Sequence, residues 1–453
     1  MLFPAIRLGK IHGSPSSSAR PSQQSSRRTI FCSESIASAS QPTTLLTRRW
    51  AKHLISGQSF HHIKQSTAGL ISANTRYYDF HPAPVASDVQ VSPKTHGLVP
   101  VWGFGTVVMS SHPRVLVGER VYGYLAPTRY LVLPVSPSDV NKHAFYVPRP
   151  HLPAGTSFTG YTRSPFSNHH YADRRPYNQF LRCGADTQYD PSPQGEDLTM
   201  LYRPLFWTSF WCEDWFFKSG YREANNILIS SASSKTAFCL AYLIRKRFTS
   251  GEILPKRIIG LTSKRNLAFT TGLGLYDDVV DYDSFPTSGN LQISDGDRWL
   301  YVDVSANDAL NKSIFAHFGS GDRLVASIAL GMTNLSPSTP NASSANWTLN
   351  TFVDNDDKRP RSPSLSSMEQ FFMVEWLNVR KHQLKPREIH LLQDSAWREF
   401  MKDCVGWVKL ERVLGAEAVK RAYERLAKGG LGPDQGFIWS LWDGDNNHVR
   451  TKM

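Results

Sequence analysis

Between residues 205 and 332 short apolar runs alternate with stretches of helical periodicity, and few folds accept such a text. Asn226-Ile-Leu-Ile-Ser230, Ile258-Ile-Gly-Leu-Thr262, Asp278-Val-Val-Asp-Tyr282, Trp299-Leu-Tyr-Val-Asp303 and Arg323-Leu-Val-Ala-Ser327 read as strands. Phe206–Phe217, Thr236–Arg247, a segment up to Thr271 and Ala306–Phe318 read as helices. Strand and helix in turn, with strands apolar throughout, predict an α/β fold with a doubly wound parallel sheet of the Rossmann type.

Upstream, the text becomes β-like. Val101-Trp-Gly-Phe-Gly-Thr-Val-Val-Met109, the turn and strand Val117–Tyr124, and Tyr130-Leu-Val-Leu-Pro134 are short runs bounded by Gly and Pro. Their spacing predicts a small barrel-like β domain. Residues 151–200, rich in Pro, Tyr, Arg and Asn, read as an irregular link, and 333–367 as an exposed loop. Helical periodicity resumes in Met368–Arg380, Ser395–Lys402 and Ala416–Lys428, followed by a strand from Gly436 to Leu441. The expected division is therefore an extension over 1–50, a substrate domain with its link over 51–200, and a nucleotide domain over 201–332. The loop over 333–367 follows, then a tail, 368–453, returning to the substrate domain.

The net charge of +13 is concentrated at one end. From Met1 to Tyr78 ten Lys/Arg face one acid, Glu34, which leaves only +4 for the remaining chain. No basic-aromatic array marks a nucleic-acid surface, so no nucleic-acid partner is expected. The first 50 residues are Ser- and Arg-rich and nearly acid-free, which fits either a mitochondrial transit segment or a disordered extension. No stretch reaches the roughly 20 apolar residues of a membrane helix. The expectation is a cytoplasmic protein without a membrane partner, or a mitochondrial one if the first segment is a transit peptide. The five cysteines are far apart, with no C-x-x-C pair, which speaks against a disulfide framework and a structural zinc site.

Gly103-Phe-Gly-Thr-Val107, Val117-Gly-Glu-Arg-Val121 and the strand ending in Pro134 resemble the GroES-like domain of the medium-chain dehydrogenase/reductase superfamily. Leu261-Thr-Ser-Lys-Arg265, Leu273-Gly-Leu-Tyr-Asp277, Val279-Val-Asp-Tyr282, Tyr301-Val-Asp-Val304 and Gly321-Asp-Arg-Leu-Val325 resemble successive stretches of its nucleotide-binding domain. The likeness covers roughly residues 66–453 and is nearest to the quinone-oxidoreductase-like proteins. It implies a GroES-like domain beside the Rossmann sheet and hydride transfer to a quinone, enone or related carbonyl. It also implies a small-molecule substrate and, by sheet-edge pairing, a homodimer.

Ser230-Ser-Ala-Ser-Ser-Lys-Thr-Ala237 stands at the glycine turn of that superfamily, where small residues admit a pyrophosphate to a helix N-terminus. Ser231, Ser234 and Ala237 occupy places where glycine is usual. Serine disfavours a positive φ, yet its hydroxyl can donate to phosphate. Ser231, Ala232, Ser233, Ser234, Lys235 and Thr236 are thus candidate cofactor residues, with Lys235 adding charge beside the helix N-terminus. The same string also reads as a polar helix start capped by serine. At the end of the second strand, where an NAD-binding fold places Asp or Glu, stand Thr262, Ser263, Lys264 and Arg265. Hydroxyls and a guanidinium accept a ribose 2′-phosphate, so NADPH is the expected cofactor. The resemblance adds Thr208, Tyr282 and Ser305 near the cofactor.

No His-Glu pair precedes the Gly118-Glu-Arg turn, where zinc-dependent relatives carry a ligand, so no metal is expected. Hydride delivery then depends on positioning and on a donor to the developing oxyanion. Asn74, which the resemblance places in the cleft, and Tyr177 are the catalytic candidates, with Tyr161 and Asn178 in the same segment between the domains as Tyr177. A second reading, prompted by the serine turn and the missing metal ligands, is a catalytically silent NADPH sensor or scaffold.

Overall fold

The computed structural model describes residues 28–38 (as backbone), 81, 101–147, 178–249, 257–330 and 368–441, apart from 127, 129, 136, 286–290, 292–293, 306, 320–322 and 428–431. In chain order the first unit contributes β1 (Arg28–Ser38), β2 (Val101–Ser110), β3 (Arg120–Leu125), β4 (Tyr130–Val135), β5 (Ala144–Tyr146) and β6 (Gln179–Arg182). A long helix, α1 (Pro193–Lys218), leads out of it. Ser192 caps this helix, its Oγ accepting from the Gly195 amide, and Pro193 supplies a φ already set for the first turn.

The second unit follows as β7 (Asn226–Ile229), α2 (Lys235–Thr249), β8 (Arg257–Thr262), α3 (Leu267–Gly272), β9 (Asp278–Asp281), β10 (Trp299–Asp303), α4 (Asp308–Phe318), β11 (Leu324–Ala329), β12 (Glu369–Gln370), α5 (Met373–Gln383) and α6 (Pro386–Asp403). The chain then returns to the first unit through β13 (Lys409–Leu414), α7 (Ala416–Ala427) and β14 (Gln435–Ser440).

In the second unit the strands stand in the order β9-β8-β7-β10-β11-β12, all parallel. Counted along the chain this is 3-2-1-4-5-6, the doubly wound arrangement of a Rossmann fold, with its switch point between β7 and β10. Successive side chains feed opposite cores, which is why these strands are apolar throughout. Ile227, Ile229, Leu300 and Val302 join the core under α1, α2, α5 and α6. Leu228, Trp299 and Tyr301 join the core under α4.

In the first unit the sheet runs β13-β14-β1-β2-β3-β6-β5, with β4 paired to β1. Its core holds Val107, Val121, Leu133, Phe145 and Phe180. The division of the chain differs here from the sequence reading. Arg28–Ser38, expected within an extension, is the strand that joins β14 to β2. Residues 193–200, expected in an irregular link, are the first turns of α1. Residues 368–403, expected to return to the substrate domain, extend the Rossmann sheet through β12 and pack on it through α5 and α6. The return begins only at β13. Tyr161 and the loop at 333–367 lie outside the described residues.

Candidate functional site

The carboxyl ends of β7 and β10 flank the switch point, and side chains weld them together. Ser230 is fully buried, accepts from the Val304 amide at 2.9 Å and donates to Asp303 Oδ1 at 3.0 Å. Asp303, also fully buried, further receives the Ser305 amide and hydroxyl at 3.0 and 3.1 Å and Asn311 Nδ2 at 2.8 Å. Tyr301 donates to Asn311 Oδ1 at 2.6 Å. A buried carboxylate is tolerable only with such donors, and charge-assisted bonds are the stronger kind. Ser305, predicted beside the cofactor, is thereby held at the switch point.

The turn after β7 is pinned from several sides. Ala232 donates its amide to Leu261 O at 2.9 Å and accepts from the Tyr276 hydroxyl at 2.9 Å. Gly260 makes this approach possible, since a Cβ there would lie 2.7 Å from that of Ala232. Ser233 Oγ accepts from Asn266 Nδ2 at 3.0 Å. Ser234 accepts the Phe238 amide on its carbonyl and the Ala237 amide on its hydroxyl. It thus caps α2, as the polar helix-start reading of the string anticipates. Lys235 and Thr236 open the helix, so their amides have no intrahelical acceptor and face a position where anions are favoured. The Thr236 carbonyl accepts from Ser209 Oγ of α1 at 2.8 Å.

Two expectations about this turn are corrected. Ser231 does adopt the left-handed conformation that serine disfavours, at φ 50°. Its amide donates to the Tyr282 hydroxyl at 3.1 Å, and its own hydroxyl lies 3.4 Å from the same oxygen. The first amide of the turn is thus spent on a side chain. Lys235 does not add its charge to the turn either. Its side chain is turned to the other unit, where Nζ donates to Gln435 O at 3.2 Å and Pro433 O at 3.4 Å. The residue is only 8% exposed, and burial pushes its pKa down to about 8.

At the end of β8, Thr262 is fully buried, and its hydroxyl and that of Ser263 have no hydrogen-bond partner. Their backbones are committed: Thr262 O accepts from the Tyr282 amide, and Ser263 O from the Asn266 amide. Lys264 and Arg265 follow, both exposed. Asp281, at the end of the neighbouring strand β9, accepts from Ser284 and from the Asp283 amide, and these bonds hold its pKa below the usual value. The two orphaned hydroxyls, one closing β8 and one just after it, are followed in sequence by two exposed cations. Asn74 and Tyr177 lie outside the described residues, whereas Asn178 is buried beside the first unit's core. Among the described residues no three His, Cys, Asp or Glu side chains are grouped to hold a metal ion, and no helix is long and apolar enough to cross a membrane.

A family model described as "Protein of unknown function (DUF2855)" matches residues 67–432. The chain belongs to this family. No curated protein matches this DUF2855 chain significantly. Similar solved structures include CurA from Vibrio vulnificus in complex with NADPH, at 10% identity over 94% of each chain with a TM-score of 0.46. A quinone oxidoreductase from Pseudomonas syringae pv. Tomato DC3000 gives 14% identity over 93% of this chain and 94% of its own, with a TM-score of 0.43. The yhdH oxidoreductase from Salmonella enterica in complex with NADP gives 12% over 90% of each, with a TM-score of 0.41. With TM-scores below 0.5, these add nothing to the strand order, which carries the fold by itself.

Sequence reasoning on this DUF2855 chain missed Ser230, Asp303 and Asn266. The only signal for Asp303 was a lone carboxylate closing the apolar run of β10, where an isolated acid needs a buried partner.

Proposed function

We propose that the chain is an oxidoreductase of the medium-chain dehydrogenase/reductase type that takes NADPH at the carboxyl edge of its Rossmann sheet. Its acceptor would be a quinone, an enone or a related conjugated carbonyl, reduced without zinc. The observation that carries this reading is the end of β8, where the Thr262 and Ser263 hydroxyls are buried without partners beside Lys264 and Arg265. An orphaned buried hydroxyl costs free energy unless a ligand satisfies it, and a 2′-phosphate is an acceptor for both. The absence of Asp or Glu at this strand end removes the group that would repel it. The open amides of Lys235 and Thr236 would hold the pyrophosphate. NADPH, when bound, supplies the hydride. Ser305, fixed through Asp303, lines the switch point beyond which the acceptor would lie. The sequence resemblance supports the same chemistry.

The test is fluorescence titration with NADPH and NADH, on wild type and on Arg265→Ala. Preferential NADPH binding, weakened by about 1–3 kcal/mol in the variant as charge-assisted bonds suggest, is expected. Binding of neither nucleotide would sink the proposal. A second reading is a catalytically silent NADPH-binding sensor or scaffold, favoured by the capped Ser231 amide and the averted Lys235. Tight NADPH binding with no oxidation across a panel of quinones and enones would select it.

A further inference from the structure

At the amino edge of the Rossmann sheet, three separate stretches of chain surround an open cleft of about 380 Å³. α2 starts at the carboxyl edge and runs back along the sheet, so its last turns carry Tyr242, Arg245 and Lys246 to this opposite edge. The turn before β9 brings Gly274, while Asp403 closes α6 and Trp407 follows four residues on. The volume is that of a small-molecule site.

The walls are braced. Arg245 donates to Leu275 O at 3.2 Å and pairs with Asp277 at 2.6 Å, which ties the turn to α2. Lys246 pairs with Glu399 at 2.6 Å and with Asp403 Oδ2 at 2.8 Å, and the Tyr242 hydroxyl donates to that same oxygen at 2.9 Å. Both bonds fall on Oδ2, so among the described residues Oδ1 of Asp403 has no donor. The bond from Lys246 holds this carboxyl's pKa below the usual value, which keeps it an anion. The half-buried Trp407 ring is fixed edge-on against Phe238, Tyr242 and Phe400, at 5.7, 5.4 and 5.8 Å between centroids. Its indole N–H, a donor only, has no acceptor among the described residues. Gly274 sits at φ 65°, and no atom lies within 4 Å of where its Cβ would be, so this wall is bare.

The lining thus carries both signs of charge on fixed supports. A ligand of one sign would meet a like charge, whereas a zwitterion can pair each of its ends. We propose that the cleft binds a small zwitterion of the α-amino acid type with an apolar side chain. Its ammonium meets Asp403 Oδ1, its carboxylate the Trp407 N–H and Arg245, and its side chain lies over Gly274. The site stands at the far end of α2 from the turn at Ser231–Thr236 and does not depend on what binds there.

The test is isothermal titration of the full chain, without nucleotide, against three probes. These are L-leucine, its amide, which lacks the carboxylate, and 4-methylpentanoate, which lacks the ammonium. L-leucine is expected to bind about tenfold tighter than either, the worth of one charge-assisted hydrogen bond. Asp403→Asn, which keeps an acceptor for Tyr242, and Trp407→Phe, which keeps a ring in the packing, should each weaken L-leucine about tenfold. Gly274→Asn, a residue that tolerates the left-handed region, should fill the cleft and abolish binding while thermal unfolding still shows a folded chain. No binding of L-leucine, equal affinity for the three probes, or full affinity in Gly274→Asn would overturn the site. Displacement of L-leucine by NADPH would do the same.

Discussion

Ser231 and Lys235 shape the turn after β7, and they depart from a glycine-rich turn in opposite ways. Ser231 keeps the backbone of a glycine but adds a Cβ at φ 50°, which costs about 1–2 kcal/mol for an L-residue. The contact between its hydroxyl and Tyr282, at 3.4 Å, offsets only part of that. Ser231→Gly is therefore expected to raise stability by about 1 kcal/mol in chemical denaturation. A loss of stability would mean that the hydroxyl contact outweighs the strain. Lys235 keeps its charge but is turned away from the turn. Because burial lowers its pKa to about 8 from 10.5, the unfolded chain binds this proton more tightly than the folded one. This group's contribution to folded stability therefore rises with pH between about 8 and 10.5. The buried Cys212 and Cys239 thiols, whose pKa values burial raises, act the other way above pH 9. The measurement is thus a difference. Wild type should gain on the order of 3 kcal/mol relative to Lys235→Met between about pH 7.5 and pH 10.5. Equal pH profiles for the two proteins would remove Lys235 from that account.

At the scale of single elements, α1 carries the clearest prediction. Burial raises the pKa of Asp197, and the Arg412 fork partly counters this. Arg412→Met leaves a nearly buried carboxylate without its cation, so it should cost about 2–3 kcal/mol at pH 7 and less at pH 4, where protonation removes the charge. Equal losses at both pH values would show that packing, not the ion pair, was lost. The same helix marks where sequence patterning stops being informative. Its aromatic half, from Phe206 to Phe217, was legible because apolar spacing of that density has one periodicity. Its first half was not, because Pro193, Gly195 and Pro204 imitate a loop, whereas Ser192 and Pro193 are in fact a helix start. The strand β13 was missed for a similar reason: Lys409–Leu414 is short, mostly exposed, and lies between two helices. At the site, the ends of β7 and β8 could be located from the alternation of strand and helix. The Ser230–Asp303 bond could not, since it joins residues 73 apart and depends on which strands are neighbours. The direction of Lys235 was equally hidden, because nothing near it in sequence says that residues 433–435 pass over the start of α2.

For the molecule as a whole, the doubly wound parallel sheet followed from pattern, while its sixth strand, read as part of a helix, and the way the two units are threaded did not. The Ser- and Arg-rich text around Arg28–Ser38 has the composition of an unfolded tail, yet it supplies a strand bordered by β2, β4 and β14. In that arrangement Ala37 faces Trp439 and Ser38 faces Ile438 across the sheet, a pairing some 400 residues long in sequence. Contacts that distant are slow to form because the loop between them must close first. On a ribosome the consequence is an order of events. The Rossmann strands, all out by residue 370, can assemble while β1 still has no β14 to meet. The first unit, begun earliest in translation, is the last to be completed, and until then its β1 edge waits for a partner that the ribosome has yet to make.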